Sequence, residues 1–324
     1  MRIRFPSKLL ALLLVSMLVA NITAAAPKEE RTIVEAGVGS FYSPDGKWLA
    51  YKTELLQMGV ISTAKNAKPT LDGSYSYGAF TGDSKTLIVW DANNSKVVCL
   101  DPANGKTLRS FAAPFQKDND FAQSMAASND GKKIAMTSFF GSPVIVDSAK
   151  GTKIADLEKC RAHRLVFSKD DATIFGYDGN GAICTWDASS GKQTNSWNVA
   201  QRDIVQCAFS SDGKLAAAAE ADTGLVRLWD MGAGKELGQL KNGKSITSIA
   251  ISPDGKTLAV GSSEPKAAAE VKLWDIGTQK ELDGIKDLPA RALSLGFSPD
   301  GKSLIVSTQG TSKSKAATRL FSLP

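Results

Sequence analysis

One five-residue block recurs seven times along the chain: Ser43-Pro-Asp-Gly-Lys47, Thr81-Gly-Asp-Ser-Lys85, Ser128-Asn-Asp-Gly-Lys132, Ser168-Lys-Asp-Asp-Ala172, Ser210-Ser-Asp-Gly-Lys214, Ser252-Pro-Asp-Gly-Lys256 and Ser298-Pro-Asp-Gly-Lys302. Its aspartates (Asp45, Asp83, Asp130, Asp170, Asp212, Asp254 and Asp300) lie 38 to 47 residues apart. Such a period marks a repeat architecture in which each unit buries its apolar face against its neighbours. The chain has 324 residues, and the part after residue 26 divides into seven units of about 43. The repeats use all of it, so no second domain fits.

Each block is a turn with a mechanism. Pro presets φ at the first central position, Asp bonds back to the backbone, and Gly takes positive φ. Alternating or continuous apolar runs flank the turn, as at 246–252 and 257–261. A third such run ends in a second marker, at Val226-Arg-Leu-Trp-Asp230, Val271-Lys-Leu-Trp-Asp275 and Ile183-Cys-Thr-Trp-Asp187. A Gly-Lys turn then leads to a fourth run, such as 280–285. Four short strands per repeat make one propeller blade. The expectation is an all-β, seven-bladed β-propeller of four antiparallel strands per blade, spanning 27–324. The last repeat stops after its third strand, and residues 31–36 (Arg-Thr-Ile-Val-Glu-Ala) precede the first turn without a blade of their own. That segment is expected to join the C-terminal blade as its outer strand and close the ring, which removes open sheet edges.

The Trp-Asp ends at 186–187, 229–230 and 274–275, together with the Ser-Pro-Asp-Gly turns, resemble the WD-repeat family, over about 31–324. The first repeat, Tyr42-Ser-Pro-Asp-Gly-Lys-Trp-Leu-Ala-Tyr-Lys52, equally resembles the propellers of periplasmic TolB and prolyl oligopeptidases. The WD resemblance implies an interaction platform. Departures from it matter. The family's Gly-His pair is missing, because His163 is the chain's single His. Four repeats lack the Trp-Asp end, and by register Ile61-Ser62, Leu100-Asp101, Val146-Asp147 and Phe321-Ser322 stand there. Trp90-Asp91 ends a second strand instead. The blades are therefore expected to rest on apolar packing between neighbours rather than on polar networks.

The formal charge of +6 raises a nucleic-acid reading, but Arg2, Arg4 and Lys8 supply half of it. They precede the apolar run 9–20, and Thr23, Ala24, Ala25 and Ala26 follow. A basic start, a short apolar core and small residues describe a secretory signal peptide over 1–26, cleaved after Ala25 or nearby; the alternative is an uncleaved anchor. The run is shorter than a membrane span. The remainder carries 36 basic and 33 acidic side chains with no like-charge block. No nucleic-acid partner and no membrane span are expected of it. An exported protein, periplasmic or extracellular, is expected, and a closed ring makes a monomer the default.

Catalytic patterns fail on context. Residues 238–245 and 296–303 match the phosphate-loop spacing, but both run into strands where a helix N-terminus is needed. One His excludes two-His metal motifs, and no C-x-x-C or G-x-S-x-G is present. No metal, cofactor or catalytic residue is assigned. Cys99, Cys160, Cys184 and Cys207 allow three pairings, and Cys99 and Cys207 fall at core positions.

By register, the loops joining second to third strands and one blade to the next share a face around the channel. That face collects Tyr75, Tyr77, Phe115, Phe139, Phe140, Arg161, His163, Arg164, Arg202 and Arg291. Aromatics and Arg are the types enriched at interface hot spots. The fourth blade stands out: Arg164 takes a place held elsewhere by Ser124, Ser248 and Ser294, which suggests an anion contact. The function read from this is a non-catalytic scaffold binding protein or peptide through the channel rim. The alternatives are a lactonase- or quinoprotein-like propeller enzyme, and a sensor of sugar or cell-wall fragments.

Overall fold

The computed structural model describes residues 26–35, 37–54, 57–112, 122–138, 142–159, 162–178, 180–243, 245–263, 268–312 and 314–324. The leader read at 1–26 lies outside them apart from Ala26, as do Phe115, Phe139, Phe140, Cys160 and Arg161.

Seven four-stranded antiparallel sheets follow one another in a ring. In six of them the strands pair in chain order; the fourth blade, for example, is built from Arg164–Phe167, Thr173–Tyr177, Ala182–Asp187 and Gln193–Asn198. The seventh is different. Its first three strands are Ala292–Phe297, Ser303–Thr308 and Ala317–Ser322, and its outer strand is Lys28–Glu35 from the other end of the chain. The expected closure strand is therefore present, beginning three residues earlier than residue 31. It pairs from Lys28 opposite Ser322 to Glu35 opposite Ala317. Val34 is buried in the joint to the first blade, and Arg31 donates to the Thr63 and Ala64 carbonyls of that blade.

Apolar packing is divided among seven clusters of buried side chains, one at each interface between neighbouring blades. Ile145 of the third blade, for example, packs with Leu165, Phe167, Ile174 and Trp186 of the fourth. Val226 and Leu228 of the fifth meet Ile249, Leu258 and Val260 of the sixth. A strand's alternate side chains face opposite neighbours, so each blade serves two clusters. The closing cluster has few buried members: Val34, Leu49, Tyr51, Ile61 and Ile305. A chain of hydroxyls reinforces it, Ser40 Oγ to Ser307 Oγ at 2.8 Å and Ser307 Oγ to Thr318 Oγ1 at 2.8 Å.

The expectation of blades without polar networks needs correction. In all seven turns the Ser or Thr hydroxyl donates to the Asp carboxylate at 2.6–2.7 Å. The same carboxylate accepts the backbone N–H two residues on, from Lys47 in the first turn to Lys302 in the last. The hydroxyl oxygen in turn accepts the N–H that opens the second strand. The fourth turn position has positive φ in every blade. Five blades use Gly there, and Ser84 (φ 60) and Asp171 (φ 59) take the other two places. Those two are gains rather than lost glycines. Ser84 Oγ accepts Asp45 N–H at 3.0 Å, and the Asp171 carboxylate accepts the Asn129 and Asp130 N–H groups, each from the preceding blade.

These bonds hold the seven turn carboxyls below the usual carboxylate range. Hydroxyl and backbone donors are the main cause at six, and at Asp45 they outweigh an upward push from burial. A depressed folded pKa contributes stability that is present above the unfolded value near ~3.9 and is lost as pH falls through the folded values. Because seven groups behave alike, the melting temperature is expected to hold down to about pH 5 and to fall steeply below about pH 4. A thermal-melt series across that range checks this, and a flat profile to about pH 2.5 would contradict it.

The Trp-Asp marker also acquires a role. Trp186 Nε1 donates to the Glu158 carbonyl at 2.8 Å and Trp229 Nε1 to the Val199 carbonyl at 3.1 Å, each pinning the segment that enters its blade. The aspartate closes the next turn through N–H groups two or three residues on, as Asp187 does for Ser189 and Ser190. Asp101 and Asp147 keep that half of the job without the Trp.

Candidate functional site

The inner strands of all seven blades line a central cavity of about 790 Å³. Register explains which side chains meet there. Four residues before each turn Ser or Thr stand Gly39, Tyr77, Ser124, Arg164, Gln206, Ser248 and Ser294, and all seven line the cavity. Three of them are committed to the ring itself. Ser248 Oγ donates to the Ala292 carbonyl at 2.9 Å, Ser294 Oγ donates to the Ser40 carbonyl at 3.3 Å, and Ser124 Oγ accepts Leu165 N–H at 3.5 Å. Tyr77, Arg164 and Gln206 are left as the large polar members of this layer.

Cross-strand partners add two more. Gly39 pairs with Lys52 and Arg164 with Tyr177. A Cβ on Gly39 would meet nothing nearer than the Lys52 Cβ at 4.0 Å. Over this bare glycine, Lys52 lines the cavity from the second strand of the first blade. Its ammonium sits 4.6 Å from the centre of the Tyr77 ring, a cation–π distance. Burial pushes the Lys52 pKa down. On the opposite side of the ring, His163 stacks on Tyr177 with ring centres 6.1 Å apart. Burial pushes the Tyr177 phenol up, and Arg164 lies close enough to oppose that shift. Among the described residues no Asp or Glu side chain lines the cavity.

The predicted site residues therefore separate. Tyr77, His163 and Arg164 converge on the channel. Tyr75 packs into the interface between the first and second blades, and burial, with Asp91 nearby, raises its pKa. Arg291 lines a second cavity of about 470 Å³ between the sixth and seventh blades, with Ser263, Leu288, Gln309 and Thr311. Arg202 is exposed and close enough to Glu220 for its charge to favour the carboxylate. That carboxylate belongs to a buried network. Glu220 accepts Arg227 Nε at 2.7 Å and Gln201 N–H at 2.9 Å, and Arg227 also reaches both Glu236 oxygens at 3.1 Å. Lys52, Tyr177 and Gln206 were not singled out by sequence. The usable signal was their register, nine residues after or four before the turn Ser.

Among the described residues no cluster of three or more His, Cys, Asp or Glu is placed to hold a metal. Cys99 and Cys207 are buried, and burial pushes both thiols up. Alkylation in the native state is expected to spare them both, with modification only after unfolding; rapid native labelling of either would contradict the core placement. Any pairing of Cys184 with Cys160 lies outside the described residues.

The family model of the WD domain, G-beta repeat, matches residues 191–230 and 234–275. Each match runs from the outer strand of one blade through the third strand of the next and ends on a Trp-Asp pair. No curated protein matches the chain by sequence. Among solved structures, the chain is similar to the β-propeller domain of Cps50 (Swd1) from Myceliophteria thermophila. The TM-score is 0.76 at 13% identity, covering 92% of this chain and 100% of that one. At that identity the likeness is one of fold. Matching solved chains number 1857, so the ring alone does not select a function.

Proposed function

Taking a closed seven-bladed ring with two repeats of WD type as the premise, we propose that the chain is an exported scaffold that binds protein or peptide partners through the channel-rim face and performs no catalysis of its own. Propellers of WD repeats commonly serve as protein-interaction scaffolds. The observation that carries the reading is the convergence of Tyr77, His163 and Arg164 with Lys52 and Tyr177 on one channel, beside a second rim cavity at Arg291. Aromatic and Arg side chains around a concave site are the hot-spot types of protein interfaces. Completion of the seventh blade covers its apolar third strand, and a ring of separate blades leaves only short outer edges, which favours a monomer.

The test is capture from the exported fraction with the intact chain and with an Arg164→Ala/Arg291→Ala variant of equal thermal stability. A specific protein retained by the first and lost by the second is expected. Equal capture by both would overturn the rim assignment. A stoichiometric metal or chromophore in the purified protein would overturn the non-catalytic reading. Export rests on residues 1–26. N-terminal sequencing of the exported chain is expected to begin at Ala26, and a start at Met1 would contradict cleavage.

A further inference from the structure

We propose that the mouth of the channel at Lys52 and Arg164 is a carboxylate-binding site, and that its ligand is an acidic stretch of peptide entering from the rim face. The inference deepens the scaffold reading above and rests on it. Charge distribution is the first argument. The seven turn aspartates sit at the opposite ends of the inner strands, each bonded within its own turn. At the rim end the cavity lining carries Lys52, Arg164 and His163 and, among the described residues, no carboxylate. A peptide running into this mouth meets positive charge at its leading end.

The second argument concerns what these cations lack. Lys52 is partly buried, and burial pushes its pKa down; it has a ring face at Tyr77 and, among the described residues, no carboxylate in ion-pair range. A half-buried ammonium without an anion is a charge waiting for compensation, and a bound carboxylate restores what burial removes. Arg164 adds the planar fork that matches a carboxylate with two parallel hydrogen bonds. The register makes both features specific. Gly39 is the one ring position without a side chain, and it is the cross-strand partner of Lys52. Arg164 is the one charged member of a layer whose serines are already engaged with neighbouring blades. A side chain at position 39 would cover the route by which the lysine reaches the cavity.

Fluorescently labelled hexaglutamate with an amidated C-terminus is the probe, with hexaglutamine, hexalysine and an eight-nucleotide oligothymidylate as comparison arms. Anisotropy titrations of the intact chain are expected to show hexaglutamate binding most tightly, with affinity falling as salt rises. The Lys52→Gln/Arg164→Gln pair is expected to weaken it by at least about tenfold, while Lys214→Gln on the opposite face leaves it unchanged. Arg164 is exposed, so Arg164→Gln alone, expected to weaken binding several-fold, keeps the test open if the pair does not fold. Hexaglutamate binding no tighter than hexaglutamine, or unaffected by either variant, overturns the proposal. Tighter binding of the oligothymidylate overturns it in favour of a phosphate-backbone site. If those results come with undiminished partner capture by the rim, the scaffold reading stands and this inference alone falls.

Discussion

Deleting residues 27–36 is expected to lower the melting temperature by roughly 5–10 °C and to increase self-association of the chain. The deletion removes the whole outer strand of the seventh blade, Lys28–Glu35. It takes Val34 out of the closing cluster and Arg31 off the Thr63 and Ala64 carbonyls. It also exposes the backbone of Ala317–Ser322 along its free side. Such an edge pairs with other chains. Adding a peptide of residues 27–36 in trans is expected to restore part of the loss. A deleted chain that melts at the same temperature and associates no more than the intact chain would show that the ring is held without this strand. Most of the strand is exposed, with Val34 its buried member, so the effect comes chiefly from backbone pairing and only secondarily from burial.

Glu220→Ala is expected to destabilise the chain by about 1.5–3 kcal/mol, because it removes the buried charged hydrogen bond to Arg227 Nε and leaves the guanidinium only the partly exposed Glu236. Arg227 is 7% exposed and Glu220 3%. Removing the carboxylate also leaves the Gln201 N–H without its acceptor. The double replacement Glu220→Leu/Arg227→Met is expected to recover much of the loss, since an apolar pair of similar volume does not require charge compensation. Chemical denaturation of Glu220→Ala, of Glu220→Leu and Arg227→Met singly and of the double reads both effects, and additivity of the two single losses in the double would refute the coupling. The same pair has a pH signature. Burial pushes the Glu220 carboxyl up, but the Arg227 hydrogen bond, the Gln201 N–H and the Arg charges outweigh it, so the folded pKa is lowered. Its contribution is therefore present above the unfolded value near ~4.3 and disappears as pH falls through the folded one, an increment that Glu220→Gln would lack.

The ring was legible because it is written in local chemistry. Turns with Pro, Asp and Gly at fixed offsets and strands of period two need no knowledge of distant partners. Trp90-Asp91 could be set aside from its offset alone, and Leu87–Asp91 is indeed a second strand. The closure strand was legible as an unassigned segment. Its start was misplaced because Lys28 and Glu29 pair as exposed charged residues, with Glu30 at a register shift, and leave no apolar trace. What sequence could not supply was contact across blades. Asp171 reads as a lost glycine until Asn129 and Asp130 are seen to donate to it. Lys52 reads as a solvated strand end until Gly39 is placed opposite. Arg202 and Arg291 were assigned to one rim by register, which fixes the face but not the partner. Arg202 stands by the Glu220 carboxylate, and Arg291 lines a separate cavity.

The pairing of Lys28 with Ser322 has a mechanical consequence. Both ends of the folded ring, residues 28 and 322, lie side by side on the two outer strands of the seventh blade. A cargo or anchor joined at either end holds the disc by its edge, like a coin gripped at the rim, with both flat faces open to solution. Joining residue 322 to residue 28 by a short linker and cutting a turn elsewhere should give a rearranged chain with the same disc, and moving the cut would move the grip around the circumference without touching the binding face.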